Sequence, residues 1–339
     1  MLDKVEISIR DLEFDNHTFR PCRNKDGSFT QRWVPLGMPR VSAAMQRSVF
    51  FLFPFDARRG KPGMLPGATG FFVCRNSKKL HFELKHFYAV TNRHAVIECP
   101  VIRINSKSSG VRFIDFDPSE WIYSKTDDLA VADVTDYLKP DDKVSWVSEY
   151  DFASSSASAL DARIGDQTIM LGLFADHREG AVNVPIGRFG NLAARPSDSA
   201  HVSLGRTDDF ARPAFLNDMR SRTGFSGSPV WTWYSAYQDV EIDSIGVPDP
   251  DRDPPLHARL TLIGVHRGQF REPASLIDSL GEIEVASSMT VVVPAWEISK
   301  VLDLPELIRR REARDERPER IECSNNKILL MRRLEKKDT

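Results

Sequence analysis

The stretch Arg222-Thr-Gly-Phe-Ser-Gly-Ser-Pro-Val-Trp231 decides how the rest of the chain reads. Within it, Gly224-Phe225-Ser226-Gly227-Ser228-Pro229 has the form of a nucleophile loop. A serine hydroxyl attacks a carbonyl only when a base takes its proton and donors receive the charge that develops on oxygen. Gly224 lets the backbone turn so that its own N–H and that of Ser226 point into one pocket. Gly227 removes a side chain that would block the approach to Ser226. Pro229, Val230 and Trp231 then lead back into a strand. The same hexapeptide also suits a Gly/Ser-rich β-turn, so its meaning depends on its partners.

A nucleophilic serine needs a base, and the base an orienting acid. Of the eight histidines, only His94 stands in a turn at the end of a strongly apolar strand, Ala89-Val-Thr-Asn-Arg-His-Ala-Val96. That puts its ring at a strand rim, where a cleft residue belongs, although a structural histidine would satisfy the same pattern. Asp128 stands directly before Leu129-Ala-Val-Ala-Asp-Val134, where a carboxylate can be partly buried yet reach an imidazole N–H. Asp127 beside it competes for that role, and the pair alone also reads as a turn.

Outward from these three points the chain is a series of short strands. Ser48–Phe53 is aromatic and β-prone inside a buried segment running from Ala44 to Phe55. A Gly/Pro-rich loop (58–68) follows. Strands are expected at Thr69–Cys74, Phe87–Thr91, Pro100–Asn105, Val111–Phe116 and Leu129–Val134, with Asn92–Ile97 as a turn. The Ser/Ala run over 153–160 has few anchors and reads as a linker. Beyond it, strands are expected at Gln167–Phe174, Pro185–Asn191, Pro229–Trp233, Leu260–His266 and Thr290–Val293, with an acidic surface loop between Tyr234 and His257. Ala295–Leu304 is amphipathic enough for one helix, closed by Pro305. The division is a 1–43 extension with one strand at Lys4–Ile9, a first β unit over 44–152, a second over 161–304, and a charged tail over 305–339. The tail interleaves acids with arginines, as a solvated helix with i,i+4 pairs does and a basic nucleic-acid arm does not. Short strands with frequent turns point to an all-β architecture of two packed barrels.

Composition narrows the function. The 339 residues are 41% hydrophobic and 28% charged, as in an ordinary globular chain, and the net charge of −2 favours neither nucleic acid nor an anionic membrane. The first residues mix acids into the place where an export leader needs a basic, then apolar, run. A cytoplasmic setting is therefore expected, with Cys22, Cys74, Cys99 and Cys323 as free thiols. A Cys74–Cys99 bridge is the alternative.

The order His94, Asp128, Ser226 with these surroundings resembles the chymotrypsin-like serine peptidases, and within them the bacterial Deg/Htr-type and glutamyl-endopeptidase-type enzymes. Thr69-Gly-Phe-Phe-Val is similar to the strand before their histidine, Thr91-Asn-Arg-His94 to the histidine motif and Asp128-Leu-Ala-Val to the aspartate motif, which selects Asp128 over Asp127. Gly224–Val230 is similar to the serine motif, Ile263-Gly-Val-His-Arg-Gly268 to a wall of the primary specificity pocket, and Val291–Trp296 with its helix to the closing segment of the second barrel. The matching region spans 48–304.

The resemblance implies two packed six-stranded antiparallel β-barrels with a C-terminal helix. It also implies a serine endopeptidase of protein or peptide substrates, with His94 as base, Asp128 as its orienter and Ser226 as nucleophile. Gly224 and Ser226 N–H groups would form the oxyanion hole, and no cofactor or metal is called for. Arg220, Thr223, His266 and Gly268 would line the pocket, whose cationic or hydrogen-bonding floor favours cleavage after Glu or Asp. If instead Arg220 and Arg267 face solvent, a small apolar pocket for Val or Ala results. Phe225 replaces the aspartate through which digestive members are activated, and no PDZ-like module follows. Because an intracellular peptidase must be kept from indiscriminate cleavage, gating by a regulatory protein partner or by an induced rearrangement of the oxyanion loop is expected from the compartment alone, in a bacterial stress or defence pathway. The competing readings are a catalytically silent interaction module and a small esterase.

Overall fold

The computed structural model of the chain describes residues 17–23, 29–35, 41–54, 67–78, 81–155, 162–174, 182–204, 210–234, 259–275 and 282–316. Strands β1 (His17–Arg23) and β2 (Phe29–Pro35) pair as an antiparallel hairpin. The strand expected at Lys4–Ile9 and the loops expected at 58–66 and 235–257 lie outside the described residues.

The first sheet contains β3 (Val49–Phe53), β4 (Ala68–Ser77), β5 (His81–Thr91), β6 (Val101–Asn105), β7 (Val111–Ile114), β8 (Ile122–Tyr123), β9 (Ala130–Asp133) and β10 (Val147–Ser148). Their order is β7-β6-β3-β4-β5-β9-β8, with β10 parallel to β4. The run Val49–Phe53 carries no polar residue because both its faces are covered. Alternation along the strand sends Phe50 and Leu52 into a core with Phe72, Phe87, Ile102, Ile114 and Ala130. Strands β3, β4, β5, β6, β7 and β9 thus feed one interior, the barrel core expected of this half. Its hydrogen-bond ladder stays open between β7 and β8 among the described residues. Phe51 and Phe53 face the other way, into a core shared with Ile169, Leu171, Trp231 and Val265. That shared core welds the two halves.

The second half closes. Strands β11 (Gln167–Gly172), β12 (Ile186–Ala194), β13 (Phe215–Asp218), β14 (Pro229–Tyr234), β15 (Arg259–Ser275) and β16 (Glu282–Pro294) form a barrel in the order β11-β12-β13-β16-β15-β14. Strands β15 and β16 run well past the expected Leu260–His266 and Thr290–Val293. Their pairing continues from Arg271↔Ala286 to Ser275↔Glu282, an arm whose polar, Pro-containing sequence hid it. At the junction, Phe152 bridges Leu262 and Ala153 N–H donates to Leu262 O, so residue 153 already contacts the second barrel.

The helices depart from expectation more than the strands. Helix α1 (Ala43–Ser48), N-capped by Ser42 accepting from Met45 N–H at 3.1 Å, takes the beginning of the buried segment expected from Ala44. The turn expected at Asn92–Ile97 is helix α2 (Arg93–Glu98). Helix α3 (Ala295–Leu302) lies where a helix was expected. Pro305 does not end the helical region but opens α4 (Pro305–Asp315), at a position whose N–H has no helical partner anyway.

Helix α4 is solvated, as its mixed charge suggested, on its outer face only, where Glu306, Arg309, Arg310 and Glu312 are exposed and Glu306 pairs with Arg310 at 2.5 Å. Arg311 is buried, donating to Tyr88 Oη at 3.0 Å and Leu302 O at 2.8 Å. Arg314 reaches Asp133 and Asp136 at 2.7 Å each, and buried His86 meets Asp315 at 3.0 Å. Arg75 of β4 reaches Glu149 and, at 2.5 Å, Asp303 after α3. The segment that closes the second barrel is thereby pinned to the first.

Cys74 and Cys99 are buried free thiols, as expected. Burial pushes them up to about 12 and about 11, so both stay protonated and unreactive. No helix among the described residues is long and apolar enough to cross a membrane.

Candidate active site

The acid and the base come from the first barrel. Asp128 ends the turn before β9, and Asn92, the residue at the N-cap of α2, donates its Nδ2–H to Asp128 O at 2.9 Å. This fixes the start of α2 against that turn. The Asp128 carboxylate then receives His94 twice: Oδ1 accepts the backbone N–H at 3.0 Å, and Oδ2 meets ring Nδ1 at 2.6 Å. The carboxylate is 4% exposed and the ring 51% exposed, so the pair is buried at one end and open at the other. Asp127 is also buried, but its Oδ2 accepts from Thr126 Oγ1 at 2.6 Å. The ring belongs to Asp128.

Ser226 comes from the second barrel and is held by backbone geometry. Gly224 has φ +100°, a left-handed conformation that side-chain-bearing residues rarely adopt. Phe225 N–H donates to Arg222 O at 3.2 Å across it, which makes Arg222–Phe225 a turn with glycine in the third place, as a type II turn requires. Phe225 is fully buried among Met170, Leu192 and Phe215. The N–H groups of Gly224 and Ser226 have no protein partner among the described residues. Ser226 is half-buried, and no hydrogen bond joins its Oγ to His94 among the described residues.

Thr69 of β4 ties the two halves together. Its N–H donates to Ser226 O at 2.9 Å, and its hydroxyl donates to Gly224 O at 2.7 Å while accepting from Leu173 N–H at 2.8 Å. Thr91, three residues before His94, donates its hydroxyl to Thr69 O at 2.6 Å. Gly227 packs so closely on this pair that an added Cβ would lie 2.1 Å from both Thr69 O and Thr91 Oγ1. Sequence reading took Thr69 only as the head of a strand. The signal for its role was a β-branched hydroxyl in an otherwise apolar run.

The expected pocket residues separate. Arg220 and Thr223 are exposed, so neither makes a buried cationic floor. His266 is buried, with Nε2 at 2.8 Å from Ser221 Oγ and Nδ1 without a partner among the described residues. Burial first, and the His94 charge second, lower it to about 3, so it is neutral. Ser221 N–H donates to Gln269 Oε1 at 3.2 Å, and Gly268 lies against Leu204. Arg267 is buried rather than solvent-facing. Ser221 and Gln269 were not singled out from the sequence, because a lone serine in a polar loop or a lone glutamine beyond the apolar part of a strand carries no pattern of its own.

Fold and site together define a double-β-barrel protein of chymotrypsin-like architecture, with its candidate site where the barrels meet. No protein-family model matches the chain, and no curated protein matches it. Solved structures do. The inactive form of a variant of Rv3671c from M. tuberculosis H37Rv is 17% identical, with a TM-score of 0.40, over 79% of this chain and 95% of that one. The active form of the M. tuberculosis Rv3671c protease is 19% identical, with a TM-score of 0.38, over 79% and 88%. The HtrA-type protease AlgW with a tripeptide is 15% identical, with a TM-score of 0.42, over 77% of this chain and 64% of that chain.

Proposed function

We propose that the chain is a serine endopeptidase working by acyl transfer through Ser226, His94 and Asp128. The observation that carries this reading is one buried carboxylate gripping both the ring Nδ1 and the backbone N–H of a half-exposed histidine. With Nδ1–H directed to Asp128, the lone pair of the base lies on Nε2. Nε2 takes the Ser226 proton as Oγ bonds to the scissile carbonyl carbon. The N–H groups of Gly224 and Ser226 receive the oxygen that gains charge, each such donor lowering the barrier by roughly 3 kcal/mol. The imidazolium then gives its proton to the leaving nitrogen as the C–N bond breaks. Water, losing a proton to the same Nε2, releases the acid from the acyl-Ser226 ester.

The neutral Ser221–His266 pair supports cleavage after Glu or Asp. If His266 Nε2–H donates to Ser221 Oγ, the hydroxyl hydrogen is left for a substrate carboxylate, whereas a neutral imidazole–hydroxyl pair offers no charge to Lys or Arg. The absent bond between Ser226 and His94 favours a second reading, a catalytically silent module. It equally supports gating, in which substrate or a regulatory protein partner closes the gap, since catalytic hydrogen bonds often tighten only in the complex.

Labelling with a fluorophosphonate probe tests the site. Ser226 should be modified in the wild type, and Ser226→Ala and His94→Ala should each lose roughly 10⁴–10⁶-fold in rate, as members of one unit do. Labelling that persists in both variants overturns the assignment, and an unlabelled wild type supports the silent module. A peptide-library digest then separates peptidase from esterase and reads the residue before the cut.

A further inference from the structure

Arg267 follows His266 on β15 and takes no part in the proposed chemistry. Its guanidinium Nε lies 3.8 Å from Asp128 Oδ2, with the two side chains 9% and 4% exposed. Arg267 Nη1 donates to Phe210 O at 3.0 Å, and the guanidinium stands 5.7 Å from the Phe210 ring. The same ring takes Arg93, the neighbour of His94, at 5.7 Å. A cation from the second barrel is thus held against the carboxylate that orients the base in the first. Among the described residues, the ionisable groups near the pair include His94 itself, Asp127 in the same turn, Arg93 on α2 with Tyr123 beneath it, and His266, which is neutral.

We infer that Arg267 is a positioning residue for the Asp128–His94 pair, holding the carboxylate ionised and in place while opposing its pull on the His94 proton. The inference rests on the proposed triad. Two charges at this separation interact strongly where water is excluded, and a nearby cation favours the charged form of a carboxylate. The same cation disfavours a second positive charge on the ring. Removing Arg267 therefore removes an electrostatic influence on the base as well as a packing contact. A role limited to filling space and tying down Phe210 would leave no such trace.

The test is the rate of fluorophosphonate labelling at Ser226 from about pH 5 to about pH 9 in wild type, Arg267→Gln and Arg267→Lys, with circular dichroism confirming the fold. In Arg267→Gln the acid limb should move to higher pH by roughly half a unit to one unit, so that labelling on the limb falls ~3- to 10-fold. Arg267→Lys keeps the charge and should keep the limb, with a lower plateau from the lost Phe210 bond. An unmoved limb in folded Arg267→Gln, or a limb displaced as far in Arg267→Lys, overturns the inference. Should Arg267→Gln not fold, Arg267→Met, which also removes the charge, is read in its place: a limb moved to higher pH supports the role, and an unmoved limb ends it. Wild-type protein that does not label at Ser226 breaks the triad reading instead, which separates the two failures.

Discussion

The two halves of the candidate site are fastened by different means. Asp128 and His94 are locked by side-chain hydrogen bonds between residues 34 apart in the chain, within one barrel. Ser226 has no such lock. Its loop is shaped by left-handed glycines, anchored by buried Phe225, and pressed onto the other barrel through Thr69. The hydrogen bonds of the acid–base half thus lie within the first barrel, with Arg267 of the second set against them, whereas the nucleophile loop is held across the two barrels. An oxyanion loop held by backbone shape tolerates almost no added volume, and a carboxylate–imidazole pair tolerates almost no change of chemistry.

The sharpest break in this comparison is chemical. Asp128→Asn should lower labelling at Ser226 about 10⁴-fold, because an amide in that place favours the wrong imidazole tautomer. Asp127→Asn, whose partner is Thr126, should change it no more than a few-fold. The reverse ranking would show that the ring moves to Asp127 in solution.

The next break is steric. Gly227→Ala adds a methyl group where backbone and hydroxyl atoms lie 2.1 Å away, at φ +85°. The loop must leave Thr69, and labelling should fall roughly 100-fold, as small misplacements of a reacting group do. Gly165→Ala is the control. Its φ of +94° carries the same strain, but nothing lies within 4 Å, so it should cost about 1 kcal/mol of stability and leave labelling unchanged. Similar rates in the two variants would show that loop packing does not place Ser226.

The smallest effect concerns stability and pH. His266 in the folded chain sits at about 3, below the ~6.5 of an exposed imidazole. Between those values the unfolded chain binds the extra proton. The stabilisation is fully present above pH ~6.5 and is lost as pH falls toward ~3. Burial lowers His86 too, which acts in the same direction. The melting temperature should therefore fall on acidification from about pH 7 to about pH 4, and less steeply in His266→Gln. Equal slopes would assign the dependence to other groups.

Much of this was legible in the residues. The continuous apolar run Val49–Phe53, the glycines around Ser226, and the apolar strand that carries Thr91 are local patterns, and local patterns follow from backbone sterics and side-chain hydrophobicity. What escaped were short elements such as β8, β10 and β13, whose two to four residues hold too little pattern to stand out. The long β15–β16 arm escaped because its pairing, rather than its composition, makes it a strand. Helix α4 reads as solvated from charge alone, since nothing local says that Asp133 lies within reach of Arg314, 181 residues away.

By itself the sequence determined the all-β character, the order of His94, Asp128 and Ser226, and the glycine positions that a tight loop demands. The tertiary structure alone decided that Thr69 anchors the nucleophile loop, that His266 is neutral, and that Arg267 is buried beside Asp128. The division has one physical cause. Backbone preference is a property of a few neighbouring residues, whereas the charge and orientation of a buried group depend on which distant atoms have replaced its water.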